Sequence, residues 1–166
     1  MGKRIVRQLN VVLDEVYTPK EALYSLVPFV PKNWIIWECA SGKGMLAQHL
    51  REEGYSVVLG EDFFTDNFQA DCIITNPPYS IKDDFLERAF GLGKPFAFLL
   101  PLTALEGKFR GSLYRKHGIQ LIIPNGRIHF IIPSGKKSAW FQTAWFTYGL
   151  NLPKDLMFVD KIPTEG

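Results

Sequence analysis

A chain of 166 residues, 46% apolar and 22% charged, has the makeup of a soluble globular protein and the length of one domain over residues 1–166, with no room for a second full domain. No apolar run approaches the ~18 residues that a membrane span needs, so no membrane partner is expected. The net charge of +2, from 19 Lys and Arg against 17 Asp and Glu, neither demands nor excludes a polyanionic partner.

The basic start "MGKRIVRQLNVVLDEVY" has an apolar stretch too short for a cleaved signal peptide, and Asp14 and Glu15 break it. A cytosolic protein is expected. Next, "YTPKEALYSLVPFVP" predicts a short helix entered by Pro19 and stopped near Pro28. Strands are predicted at "WIIWE" (34–38), "YSVVL" (55–59), "DCIITN" (71–76), "PFAFLLP" (95–101), "IQLIIP" (119–124), "RIHFII" (127–132) and "TAWFTYGL" (143–150). Each is short, rich in β-branched and aromatic residues, and bounded by Gly, Pro or Asn. Helical patterns at 44–54, 81–93 and 104–118 separate the first five strands, and each ends in Gly. This alternation predicts an α/β fold, Rossmann-like, with a mainly parallel sheet and helices on both faces. After Ile119 the strands follow without helices, which predicts a C-terminal antiparallel hairpin. About a dozen residues separate "YSVVL" from "DCIITN". That is too few for a crossover helix plus a strand, so an element is missing there or "EDFF" forms a very short strand.

Cys39 and Cys72 sit in or beside apolar strands without metal-ligand spacing, so buried thiols and no metal are expected. Ligands of open parallel sheets bind beyond the carboxyl ends of the strands, which selects the loops after Glu38, Leu59 and Thr75. In "ECASGKGMLAQ", Gly42 and Gly44 let the backbone approach a ligand, and Ala47 completes a G-x-G-x-x-A pattern that also fits a dinucleotide fold. Glu38 argues for a ligand with an ammonium group or ribose hydroxyls rather than a pyrophosphate. In "GEDFFTDNF", Glu61 or Asp62 suits the two ribose hydroxyls, and Phe63 could pack on an adenine face. In "TNPPYS", Asn76 offers a carbonyl acceptor, Pro77 and Pro78 fix the backbone so that a second carbonyl points outward, and Tyr79 supplies a flat ring. Two acceptors and a stacking face suit a planar group carrying an NH2. Accepting both amino hydrogens localises the nitrogen lone pair for attack on an electrophile.

The order "YTP", "ECASGKG", acidic loop, "TNPPYS" resembles the class I S-adenosylmethionine-dependent methyltransferases that act on exocyclic amino groups, specifically the DNA N6-adenine methyltransferases. The tract from "NPPYSIKDDF" through "IIPNGRIHF" is similar to small phage-encoded forms, which implies action in a host cytoplasm. The resemblance implies S-adenosylmethionine as cofactor, with Tyr17, Thr18 and Pro19 lining its methionine end. It places Glu38, Ala40, Gly42 and Gly44 in the cofactor loop, Glu61 or Asp62 at the ribose, and Asp62 with Phe63 alternatively at the cofactor adenine. Asn76 and Pro77 would grip the target amino group beside the cofactor, with Pro78 stiffening the corner and Tyr79 stacking on the base. Trp140 or Phe141 would close over the base's other face. The implied partner is nucleic acid, DNA first and RNA second, and a homo-oligomer is compatible.

Family members that read DNA sequence usually add a recognition domain, whereas here Lys136, Lys137 and the cluster Lys108, Arg110, Arg115, Lys116 and His117 are the basic groups available for a backbone. Competing readings keep the chemistry on RNA bases or protein glutamine, or make the chain an inactive methyltransferase-like subunit. A nicotinamide dehydrogenase fits "GKGMLA" but leaves "NPPY" idle.

Overall fold

The computed structural model describes residues 17–40, 44–60, 62–131, 134, 137–138 and 141–161. Following the chain, β1 (Ile35–Glu38), α1 (Met45–Glu52), β2 (Ser56–Leu59), β3 (Cys72–Thr75), α2 (Lys82–Leu92), β4 (Phe96–Pro101), α3 (Lys108–His117) and β5 (Gln120–Pro124) realise the predicted alternation. Then come β6 (Phe130–Ile131), β7 (Lys137–Ser138), β8 (Thr143–Tyr148) and β9 (Leu156–Val159).

One sheet runs in the order β2-β1-β3-β4-β8-β5-β9. Its strands are parallel except β8, which inserts antiparallel between β4 and β5. The expected antiparallel closure therefore holds, but the connection from β5 to β8 carries a second small sheet, in which Phe130 pairs with Ser138 and Ile131 with Lys137. β9 was not expected. It adds in parallel to β5 at the sheet's edge, where its burial alternates between exposed and half-buried although its sequence, "LMFV", is as apolar as that of the inner strands.

β4 shows why the inner strands read as unbroken apolar runs. All six of its residues are buried because both faces of the sheet are covered. Phe96, Phe98 and Leu100 point into an aromatic layer with Trp37, Ile73, Phe85, Leu86 and Phe90, against α2. Ala97 and Leu99 point the other way, into a layer with Leu23, Ile36, Leu46, Leu50 and Trp145 beneath α1. Both cysteines are buried free thiols, as expected.

Two local expectations are corrected. The stretch before β1 is not one helix but two 3-10 turns, Lys20–Leu23 and Val27–Phe29. Pro28 has no amide hydrogen to donate to the carbonyl four residues before it, so a continuous α-helix is interrupted and the segment is broken into short turns. The second turn is followed by a buried contact in which the Tyr55 hydroxyl donates to the Val30 carbonyl at 2.8 Å. Of the predicted strand at 127–132, the described residues Phe130–Ile131 pair with a partner strand while 127–129 do not, Arg127 and His129 being exposed; residue 132 lies outside the described residues.

Between β2 and β3 no strand or helix forms among the described residues, and Asp62, Phe63 and Phe64 of "EDFF" form no strand; Glu61 lies outside the described residues. The loop instead covers the sheet with side chains. Phe63 stacks on Phe85 at 4.8 Å between ring centroids, and Trp37 meets Phe63 at 5.3 Å and Phe68 at 5.4 Å. Arg88 of α2 holds this loop down, donating to the carbonyls of Phe63 at 3.3 Å and Asp66 at 2.9 Å. β2 is thus an edge strand, and the short connection does with aromatic rings what a crossover helix would otherwise do.

Because β1 to β5 run parallel, their carboxyl ends lie along one edge of the sheet. The loops after Glu38, Leu59, Thr75, Pro101 and Pro124 all open there. Among the described residues no helix is long and apolar enough to cross a membrane.

Candidate active site

Three segments far apart in sequence meet at that edge. Glu38, the last residue of β1, is 1% exposed. Its Oε1 accepts the Ala40 amide at 2.9 Å and the Thr75 hydroxyl in a short hydrogen bond. Burial pushes the Glu38 carboxyl up from 4.5 to about 7, and the hydrogen bonds from Thr75 and Ala40 offset only part of that rise. Burial likewise holds the neighbouring Cys39 thiol well above its ordinary range, so it stays protonated.

Thr75, the last residue of β3, is fully buried and links this carboxylate to the rigid corner that follows. Sequence reasoning did not assign it a role. The signal was there, in a hydroxyl-bearing residue that ends the otherwise apolar run "CIIT". The next residue, Asn76, donates from Nδ2 to Thr18 Oγ1 at 3.1 Å. Its Oδ1 is enclosed, and no donor of the described residues reaches it. Leaving a buried acceptor unsatisfied costs about 1–3 kcal/mol, so such a group calls for an explanation.

Pro77 is buried, and Pro78 holds an extended conformation that leads into the 3-10 turn Tyr79–Ile81 and then α2. The Lys82 ammonium donates to the Tyr79 carbonyl at 3.2 Å and steadies that turn. Tyr79 and Phe141 are neighbours, with ring centroids 5.7 Å apart and planes inclined at 57°. A base held between parallel rings needs about 7 Å between them, twice the contact distance of about 3.5 Å, so the pair must open for a base to enter.

The segment 17–19 is fastened by a backbone pair, in which Tyr17 donates to Ile131 at 2.7 Å and Ile131 to Tyr17 at 3.1 Å. The small β6–β7 sheet, the 17–19 segment and Asn76 are therefore connected in series. At the far side of the site, Gly44 caps the start of α1 at φ +78, a conformation that favours glycine. Among the described residues, nothing lies within 4 Å of a side-chain carbon placed there.

The acidic loop is arranged differently. Asp62 Oδ1 accepts the Phe64 amide at 2.9 Å, and Asp66 Oδ2 accepts the Asp62 amide at 2.9 Å. Phe63, expected against an adenine, is 2% exposed inside the aromatic layer among Trp37, Phe64, Phe85 and Phe98. With that packing it serves the core. Gly60 has a reason that sequence reading did not supply: a side-chain carbon there would lie 2.9 Å from both Asp66 Oδ2 and Trp37 Nε1. The loop can fold down only over a glycine.

The basic cluster is also revised. Arg110 forms a 2.7 Å ion pair with Asp83 and donates to the carbonyls of Ala104 and Glu106, which fixes α3 against the start of α2. His117 stacks on Phe90 at 4.5 Å. Arg115, Lys116 and His117 end α3, a helix of ten residues whose length of about 15 Å carries them toward the opposite edge of the sheet. Lys108 remains exposed at the helix start, beside exposed Leu105 and Phe109. Gly42, Glu61, Lys136 and Trp140 lie outside the described residues, and Lys137 is placed as a residue of β7.

No protein-family model matches the chain, and no curated protein matches its sequence. Among solved structures, a Pyrococcus horikoshii protein provisionally assigned as an RNA methyltransferase superposes with a TM-score of 0.52 at 16% identity, over 80% of each chain. A dimethyladenosine transferase from Plasmodium falciparum gives a TM-score of 0.46 at 11% identity, over 80% of this chain and 62% of that one. The topology together with the first of these similarities establishes the Rossmann-like class I methyltransferase fold.

Proposed function

We propose that the protein is an S-adenosylmethionine-dependent methyltransferase that modifies the exocyclic N6 amino group of adenine in nucleic acid, with DNA as the first substrate to test. The observation that carries this reading is the enclosed Asn76 Oδ1 at the carboxyl end of β3, an acceptor for which no donor of the described residues is in reach. An amino group brought to the corner supplies the missing donor.

The residues present fit the cofactor. A buried carboxylate at a strand end suits an ammonium group and repels a pyrophosphate, which favours an amino-acid-bearing ligand over a dinucleotide. Among the described residues nothing crowds Gly44 at the start of α1, which is compatible with a ligand there. Bound there, S-adenosylmethionine supplies an electrophilic methyl group.

The chain's own part is positioning and polarisation. Asn76 Oδ1 accepts one hydrogen of the target amine and the Pro77 carbonyl the other, so the nitrogen lone pair is localised and aimed. Tyr79 gives the base a surface, and Phe141 moves aside to admit it. The two prolines keep the backbone of the corner, and with it the Pro77 carbonyl, fixed, so little backbone reorganisation is required at the moment of transfer. A base inside a duplex must first leave the stack, at a cost of a few kcal/mol that a single strand avoids. Lys108, with Leu105 and Phe109 at the same edge, is suited to hold the flanking strand.

RNA is the second substrate to test, because the Pyrococcus protein with the same fold carries an RNA assignment. The deciding experiment supplies labelled cofactor with DNA, RNA and protein separately, followed by mass spectrometry of the modified residue. N6-methyladenine in DNA is expected. Label in protein alone, or in none of the three, overturns the reading.

A further inference from the structure

We infer that Thr18 is a positioning residue for Asn76, its hydroxyl oxygen holding the amide NH2 so that Oδ1 faces the target amine. This rests on the methyltransferase reading of the corner, and it gives Thr18 a task different from lining the cofactor.

A carboxamide presents two ends of nearly equal shape and opposite polarity, and a half-turn of its terminal torsion exchanges them. With the NH2 end toward an incoming amine, donor would face donor and the lone pair would gain nothing. The prolines fix the backbone of the corner but leave this side-chain torsion untouched. A further contact is needed to hold that torsion once it is set. Among the described residues the Asn76 NH2 finds Thr18 Oγ1 as acceptor at 3.1 Å, the orientation that leaves Oδ1 for an incoming donor. Thr18 is 4% exposed, so solvent does not compete for the bond.

The acceptor is itself held in place. Threonine is restricted at its first torsion by branching. Before it, Tyr17 is paired with Ile131 through both backbone hydrogen bonds. After it, Pro19 lies at φ −74 and its carbonyl accepts the Ala22 amide, while the Ala22 carbonyl accepts the Trp145 indole N–H at 2.9 Å. A hydroxyl anchored on both sides and kept from water is a fixed reference point for the amide. Thr18 and Asn76 are 58 residues apart in sequence, so nothing local would bring them together.

The test compares Thr18→Val, which keeps the shape and removes the hydroxyl, with Thr18→Ser, which restores it. With a methyl-accepting oligonucleotide, Thr18→Val is expected to lower kcat about 10- to 100-fold while KM for the cofactor changes less than about twofold. Thr18→Ser is expected to return kcat to within about threefold of wild type. An unchanged kcat in Thr18→Val, an equal loss in both variants, or a loss confined to the cofactor KM overturns the assignment.

A second measurement needs no turnover. In cofactor-free protein, hydrogen exchange of the Asn76 side-chain amide, followed by NMR, should be protected in wild type and Thr18→Ser and about tenfold faster in Thr18→Val. Unprotected exchange in the wild type itself overturns the contact, even where Thr18→Val fails to fold. If the contact is present but no substrate accepts a methyl group, it is the methyltransferase reading that fails.

Discussion

The loops after β2 and β3 open on the same edge of the same sheet, yet they treat their polar groups in opposite ways. After β2, Asp62 and Asp66 turn their oxygens onto amides of their own loop, and Phe63 is drawn into the core. After β3, two prolines remove donors from the backbone, and Asn76 keeps an enclosed oxygen that no donor of the described residues reaches. A carboxylate that satisfies its own loop mainly stabilises that loop. An acceptor left unsatisfied at a stiff corner carries a standing cost, which a ligand can relieve. The difference teaches that residue type alone does not identify a site; what matters is whether the hydrogen-bonding capacity has already been used.

The strongest way to break this comparison is at Asn76. Asn76→Ala is expected to lower methyl transfer by about 10²–10³-fold or more, the loss typical of removing a preorganised polar contact to the reacting group, while cofactor affinity by calorimetry stays near wild type. The enclosed acceptor disappears with the side chain, so the unfolding temperature should not fall for lack of it. Turnover equal to wild type would remove the corner from the chemistry and leave the prolines as a structural device.

Glu38 sharpens the comparison, because it is a carboxylate whose hydrogen bonds do not offset its burial. Its pKa is raised to about 7, so the folded state prefers the proton. The stability this confers is fully present below the unfolded value near 4.5 and is lost as pH rises through about 7. Glu38→Gln should therefore change stability little near pH 4, and at pH 8 should stabilise the protein by up to about 3 kcal/mol relative to wild type, measured by denaturant unfolding. If Glu38 meets the cofactor's ammonium as proposed, the same variant should bind cofactor at least about tenfold more weakly at pH 8, since that charge is gone. Wild-type affinity should also fall as pH drops below about 7, where Glu38 takes up its proton. A pH-independent affinity would detach Glu38 from the ligand.

Much of this was legible in the sequence, and the limits have physical causes. Continuous apolar runs such as "FAFLLP" marked buried parallel strands because both faces are covered, and "NPPY" marked the corner because only a rigid, donor-poor backbone needs two prolines. β9 was missed although "LMFV" is a continuous apolar run; at four residues the run is short, and such a run does not by itself tell a strand from another buried segment. The basic cluster misled because charge counts do not reveal that Arg110 is committed to Asp83 or that His117 lies flat on Phe90. The Thr18 to Asn76 contact joins segments 58 residues apart, and such a pairing depends on sheet order rather than on local pattern. Phe63 read as a ligand-facing aromatic because its loop sits at the right edge. The missing crossover instead calls its ring inward to cover Trp37 and Phe85.

The smallest effect expected is at Asp62, where two roles can be separated by chemistry. Asp62→Ala removes the acceptor that the Phe64 amide uses and should cost about 1 kcal/mol of stability, as the loss of a local side-chain to backbone cap commonly does. Asp62→Asn keeps a carbonyl oxygen for that amide and removes only the charge, so stability should be retained. If Asp62 also serves the ribose hydroxyls, Asp62→Asn will weaken cofactor binding by a few fold while the loop stays intact, since a neutral acceptor bonds hydroxyls less strongly than a carboxylate does. Equal affinity in Asp62→Asn and wild type, with a stability loss only in Asp62→Ala, would show that this loop spends its carboxylate on itself.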